Sequence, residues 1–318
     1  MKKQTRTARS SRAGSARKSP RATTVAVVGA TGKVGHELAA QLLARGVSVR
    51  ALGRNPERLA ELAARGAEPY SPDVHDVKAL AEAFRGAPAL FAMIPPNYGH
   101  AEPREDQRQV ADAIAAGLQV ARVKHVVTLS SLGADQPAGT GPIVGLRAME
   151  ERFNQVPGLN VVHLRAAYHY ENFLASIPLI KSAGVDGGII RPDVPIAMVA
   201  TRDIAMAAAE LLSTLAFTGR RVMELPGPRE YTMAEAARII GAAIGRPDLS
   251  YVQFSEDDTR HGLLGAGCSA ASAETLIEMF KALDQGLVRT REPKARSAMT
   301  WTSFEEFARS VFLPAFQH

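Results

Sequence analysis

The sequence predicts an α/β fold in which a doubly wound parallel sheet carries helices on both faces and joins a smaller, mostly helical C-terminal lobe. Three observations carry that expectation. Apolar runs of strand length alternate strictly with helix-period stretches up to residue 166. The first run, residues 25–28, leads directly into Gly29, Gly32 and Gly35, which open a helix. After Arg165 the alternation weakens and helical patterns dominate.

The elements follow in order. Val25, Ala26, Val27 and Val28 read as a central strand buried on both faces. In the helix beyond the glycines, Val34, Leu38 and Leu42 recur every four residues and form an apolar stripe. Residues 47–52 are a second strand. Asn55, Pro56 and Glu57 start a helix, with proline at its first position. Residues 67–71 are a short third strand, and Asp76 caps a helix through Arg85. Residues 87–94 are the fourth strand, stopped by Pro95 and Pro96. A long helix spans 104–118, a fifth strand 123–130, a helix 142–154 and a sixth strand 159–165. Beyond them, Asp203 begins a helix through Leu215, and residues 221–225 resemble a further strand. Thr232 caps a helix to Ile244, with Glu235 completing a capping box. Residues 251–254 alternate like a strand, and helices follow near 257–264, 270–285 and 304–311. The expected division is a basic tail over 1–22, a main domain over 23–166 and a lobe over 167–318, some of whose strands return to the main sheet.

Composition narrows the class. The chain has 318 residues and a formal charge of +6. Residues 1–22 hold eight basic side chains and no acid; without them, 30 basic residues face 32 acidic ones, a net of −2. The globular body is therefore near neutral. The tail is read as a solvated, disordered extension, in preference to a nucleic-acid contact. No apolar run approaches the ~18 residues that span a bilayer. The single cysteine, Cys268, excludes an internal disulfide and fits a cytoplasmic location. The eight histidines are scattered with no pair at ligand spacing, so no metal site is expected.

The glycine turn carries the chemistry. A diphosphate sits at a helix N-terminus only if main-chain N–H groups reach it without an intervening side chain. Gly29 permits the tight turn, Gly32 the close approach and Gly35 the contact of helix and strand. With Thr31, Lys33 and Val34 these residues form the expected dinucleotide grip, as in a Rossmann fold. NAD binders place an acid at the end of the second strand. Here that end reads Leu52, Gly53, Arg54, Asn55. Arg54 can pair with a 2′-phosphate, which favours NADP (NADPH) over NAD. Arg58 and Lys33 could add to that site, although a solvated helix face explains Arg58 equally well. Asp73 and the N–H of Val74 follow the third strand, where they can meet the adenine; turn chemistry before Asp76 is the plainer account of Asp73. Met93, Ile94 and Pro95 end the fourth strand and should pack on the cofactor.

GATGKVG, Arg54-Asn55-Pro56, Asp73, Ser130-Ser131 and RAAYHYENFL together resemble the NmrA-like branch of the atypical short-chain dehydrogenases. The segments ATRDIAMAAAELL, ELPGPREYTMAEAARIIGAAIGRP and TSFEEFA resemble it too, so the likeness runs from about residue 24 to the C-terminus. The resemblance implies one of two functions. Some members are NAD(P)H-dependent oxidoreductases, quinone reductases among them. Others bind the dinucleotide without turning it over and act as redox-sensing regulators through a protein partner.

One departure bears on catalysis. Typical short-chain dehydrogenases use a tyrosine with a lysine four residues on. The six tyrosines here are followed at that spacing by Val74, Glu102, Asn172, Leu174, Glu235 and Ser255. Leu146 and Arg147 stand near the expected lysine, and an arginine cannot supply a proton. Hydride transfer to a quinone survives this loss, because the resulting oxyanion takes a proton from water. Such an enzyme needs positioning more than a dedicated acid. Ser130 or Ser131 could hydrogen-bond an acceptor carbonyl, or simply satisfy main-chain groups at a strand end. Tyr168, His169, Tyr170, Glu171 and Asn172 should line the nicotinamide side, with two aromatic rings to suit a flat acceptor. Phe173 and Leu174 read as core.

Overall fold

The computed structural model describes residues 23–292 and 301–318. The basic tail lies outside the described residues. Seven strands form the main sheet: β1 (Thr24–Val28), β2 (Ser48–Leu52), β3 (Glu68–Tyr70), β4 (Ala89–Ala92), β5 (His125–Ser131), β6 (Asn160–Ala166) and β10 (Arg220–Leu225). Their order is β10-β6-β5-β4-β1-β2-β3, and every pairing is parallel. The order reverses at β1 and β4, the switch point where ligands of doubly wound sheets bind.

Both faces of the sheet are covered, which explains the unbroken apolar runs. Val25 and Val27 of β1 join the core that holds Leu38 and Leu42 of α1 (Lys33–Ala44) and Ile204 and Ala208 of α7 (Thr201–Thr214). Ala26 and Val28 join the opposite core, with Leu80 of α3 (Val77–Phe84), Ile114 of α4 (Pro103–Ala121) and Phe153 of α5 (Ile143–Asn154). The strand's period-2 alternation thus feeds two cores.

The caps expected at residues 55 and 76 are present. Asn55 accepts from Arg58 N ahead of α2 (Pro56–Ala64), and Asp76 accepts from Lys78 N and Ala79 N. The fourth strand is shorter than expected. β4 stops at Ala92, before the proline pair, because β1 has already turned away at Gly29 and last pairs at Phe91. Two other expectations need correction. α7 begins at Thr201, and the Asp203 carboxylate does not cap it; Asp203 accepts from Thr302 N at 2.8 Å and Thr302 Oγ1 at 2.7 Å. The capping box is half-formed. Thr232 accepts from Glu235 N ahead of α8 (Met233–Ala243), but the Glu235 carboxylate pairs with Arg229 at 2.7 Å instead of turning back.

Beyond β6 the chain adds a second layer. β7 (Tyr168–His169) pairs with β9 (Ile196–Val199), which also takes β11 (Glu230–Tyr231). β8 (Asp186–Gly188) pairs with β12 (Tyr251–Gln253). α6 (Ile177–Ala183), α9 (Glu256–Gly265), α10 (Ala270–Asp284), α11 (Phe304–Phe307) and α12 (Leu313–Gln317) complete it. Among the described residues beyond β6, only β10 enters the main sheet, beside β6. No helix among the described residues is long and apolar enough to cross a membrane.

Candidate coenzyme cleft and acceptor chamber

The glycine turn has the shape that a diphosphate requires. Gly29 lies at φ +74°, and a Cβ there would stand 2.3 Å from Met93 Sδ. A Cβ at Gly35 would come within 2.2 Å of the Gly29 carbonyl oxygen. Helix and strand are therefore as close as main chains allow. Gly32, the residue that opens α1, makes no side-chain cap bond, and the first turn holds no acid. The leading amides stay available to an anion in the field of the helix dipole. The residues present fit a dinucleotide.

Beside the turn, two arginines play different parts. Arg54 is exposed and forms no ion pair among the described residues, so its guanidinium is available to a phosphate. Arg58 Nη1 donates to the Thr31 carbonyl at 2.8 Å and so braces the turn, which neither of its sequence readings foresaw. Lys33 faces the other way. Its Nζ donates to the Glu171 carbonyl at 2.8 Å, on the β6 side of β1, whereas Arg54 follows β2 on the opposite side. The expectation that Lys33 adds to the 2′-phosphate site is therefore corrected. Although Lys33 is exposed as a residue, desolvation of its ammonium lowers its pKa, with the Glu171 carboxylate opposing.

Asp73 follows the plainer account. Its Oδ1 accepts from His75 N at 2.9 Å, and this bond with the His75 ring contact holds its carboxyl below the ordinary range. The His75 ring lies 3.1 Å from Asp73 Oδ1 and 3.0 Å from Asp106 Oδ1. Burial alone would lower the His75 pKa; the two carboxylates outweigh it and raise it. Val74, half-buried, packs on the adjacent core.

A cavity of about 580 Å³ runs from Gly32, Lys33 and Val34 past Met93, Ile94 and Pro95 to a chamber closed by α4, α5 and α10. Ser130, Ser131, Tyr168, His169 and Asn172 all line it. Both serine protons are already committed. Ser130 Oγ donates to Glu150 Oε1 at 2.5 Å, and Ser131 Oγ donates to the Leu132 carbonyl at 2.9 Å. Glu150 is buried and takes Arg165 in a two-pronged pair at 3.0 and 2.6 Å. Ser130 thus shows the cavity lone pairs, and the expected donation to an acceptor carbonyl does not fit this arrangement. Burial, with the Asp186 carboxylate nearby, pushes the Tyr168 phenol up to about 12. Burial, with Lys33 adding, brings His169 down to about 4, so its imidazole is neutral at pH 7.

Tyr170 and Glu171 are not at the cavity. Tyr170 is fully buried among Phe304, Phe307 and Tyr231, 4.9 Å from the Phe304 ring. The Glu171 carboxylate accepts from Thr201 N at 3.1 and 3.0 Å and supplies the cap that Asp203 was expected to give. At the place of the missing lysine, Leu146 faces the cavity, while Arg147 donates to the Asp135 carbonyl at 2.8 Å and pairs with Glu151. Sequence reasoning missed Glu150, Arg165, Asp106, Gln107 and Ser272. The first two lie on α5 and β6 and the others on α4 and α10, with no local pattern to mark them.

This is the cleft of a dinucleotide-binding α/β protein with an adjoining, mostly apolar chamber. The chain belongs to the NmrA-like family, whose profile matches residues 21–308. It is 32% identical over 240 residues to a (4-alkanoyl-5-oxo-2,5-dihydrofuran-3-yl)methyl phosphate reductase of Streptomyces griseus, covering 76% of this chain and 80% of the relative. It is 30% identical over 257 residues to quinone oxidoreductase 2 of Escherichia coli, covering 80% and 86%. The NADPH complex of the Escherichia coli quinone oxidoreductase QOR2 superimposes with a TM-score of 0.74 at 28% identity, covering 91% of this chain and 99% of that one. NmrA, a negative transcriptional regulator solved with NADP, shares the fold with a TM-score of 0.71 at 19% identity, covering 94% and 98%.

Proposed function

We propose that this protein is an NADPH-dependent reductase that passes hydride to a quinone or a similar flat, conjugated electrophile. The observation that carries the reading is one continuous cavity. It joins the uncapped start of α1 to a mostly apolar chamber, in a chain where no tyrosine is followed by a lysine four residues on. The identities to two reductases, one of quinones and one of an unsaturated lactone, support it.

The bound coenzyme supplies the hydride; the chain's own residues hold and shape. The α1 amides take the diphosphate, and Arg54 takes the 2′-phosphate. Met93 and Pro95 pack against the coenzyme and need shape alone. Tyr168 and His169 border the reacting end; near pH 7 the phenol keeps its proton and the imidazole is neutral. An acceptor whose reduced form is a stabilised anion takes its proton from water, so the reaction needs no dedicated acid.

The test is NADPH oxidation with a panel of quinones. Turnover with NADPH in preference to NADH is the expected result. Tight calorimetric binding of coenzyme with no turnover on any acceptor overturns the reading. It would favour the second one, a non-catalytic sensor acting through a protein partner, which the absent dyad also allows.

A further inference from the structure

The end of the chamber farthest from the glycine turn is walled by α4 and α10, and its chemistry speaks to the acceptor. The two helices are fastened together. Ser269 N donates to the Tyr98 carbonyl at 2.8 Å, Ser269 Oγ to the His100 carbonyl at 2.6 Å, and Arg104 pairs with Glu278 at 2.6 Å. Leu276, Met279 and Leu283 of α10 make the wall mostly apolar.

Two residues of this wall each carry a buried polar atom with no hydrogen-bond partner: Ser272 Oγ and Gln107 Oε1. Ser272 is 2% exposed, and its main-chain N–H already donates to Ser269 Oγ. Its neighbour Thr275 is satisfied by the Ala271 carbonyl at 2.6 Å, so on α10 the orphaned hydroxyl is particular to Ser272. The Gln107 carboxamide is oriented by Nε2 donating to the Pro142 carbonyl at 3.2 Å. Its oxygen lies against Gly145, where a Cβ would come within 2.2 Å, so only glycine leaves it this position. Leaving such groups unpaired costs roughly 1–3 kcal/mol each, a cost a ligand can remove. A carboxamide oxygen can only accept, so the ligand must bring a donor.

Charge limits the ligand further. Among the described residues, Lys33 is the only lysine or arginine on the cavity wall, and it stands at the coenzyme end. The chamber end carries the buried Asp106 carboxylate, held by His75. Among the described residues, a phosphate here would meet the Asp106 carboxylate and neither lysine nor arginine.

We infer that the acceptor is an uncharged, flat, conjugated carbonyl compound bearing a hydroxyl, that Ser272 and Gln107 read this hydroxyl, and that Asp106 turns phosphorylated acceptors away. The inference rests on the reductase reading. It separates this chain from its Streptomyces griseus relative, named for a methyl phosphate substrate.

A matched series tests it: 1,4-naphthoquinones carrying at C2 a methyl, a hydroxymethyl or a phosphoryloxymethyl group. The hydroxymethyl compound should exceed the methyl one about tenfold in kcat/KM, through KM, and the phosphate ester should be the poorest. Ser272→Ala and Gln107→Leu should each bring the hydroxymethyl-to-methyl ratio towards 1. Asp106→Asn should narrow the gap to the phosphate ester. Titration of the quinones into the NADP⁺-loaded protein should give the same ranking of affinities, read without turnover. Equal values for the first two quinones, a preferred phosphate ester, or a ratio unmoved by Ser272→Ala overturns the inference. Absence of turnover with the affinity ranking intact instead overturns the reductase reading.

Discussion

In the proposed reading, the choice between coenzymes rests on one side chain, Arg54. It follows Gly53, whose missing side chain makes room for Thr31; a Cβ there would lie 2.4 Å from Thr31 Cγ2. The loop after β2 is thereby pressed onto the glycine turn, and the guanidinium emerges beside it. Arg54→Ala should weaken NADPH binding about tenfold or more while leaving NADH affinity near its original value, as charge-assisted bonds of this type warrant. Calorimetric titration of both coenzymes reads the ratio, and equal losses for the two would remove Arg54 from the phosphate site. The position of Arg54 at the exposed end of β2 was legible because the strand–turn–helix pattern places it. Ser130 shows the opposite case. Its position at the end of β5 was foreseen, but its proton goes to Glu150, twenty residues on. No local pattern in the chain reports which way a hydroxyl donates.

Among the elements, those specified by neighbouring residues were legible. Asn55 before Pro56 and Asp76 before Val77 cap their helices as their types demand. The caps and clamps made by distant residues were not. α7 is capped by Glu171, and the start of the C-terminal helices is held by Asp203. Thr302 is the hub of that second clamp. It gives Asp203 two bonds, its carbonyl receives Tyr170 OH at 3.3 Å, and Phe304 N donates to Tyr231 OH at 3.1 Å close by. Removing the carboxylate leaves a buried N–H and hydroxyl unpaired. Asp203→Ala should therefore cost about 2–4 kcal/mol, visible as a lower melting temperature and faster proteolysis near residue 301. An unchanged melting temperature would mean that the clamp is not what fastens these helices.

At the scale of the whole molecule, two buried groups set opposing pH slopes. Burial raises Asp186 from 3.8 to about 6; its Oδ1 accepts from Gly187 N, and its Oδ2 has no partner. A raised carboxyl stabilises the fold fully below its unfolded pKa, and that contribution is lost as pH climbs through about 6, roughly 3 kcal/mol at most. His163 is the reverse. Burial between Thr128 and Asn154 lowers it from 6.5 to about 4, so its contribution is present above 6.5 and fades as pH falls towards 4. Over the shared window the two offset each other. Asp186→Asn should raise stability at pH 7.5 relative to the parent, show less gain at pH 4.5, and expose the acid limb due to His163. Denaturant unfolding at the two pH values checks this, and equal gains at both would contradict it. The sheet order itself was largely legible from the alternation of elements. The closed chamber was not, because α4 and α10 meet there across more than 160 residues of chain.

β10 arrives from residue 220 to complete a sheet whose other six strands end at residue 166. A gene divided at that point would therefore not yield two modules. One fragment would display a naked ribbon along β6, the other an orphan strand with nowhere to dock, and each would need the other to become whole.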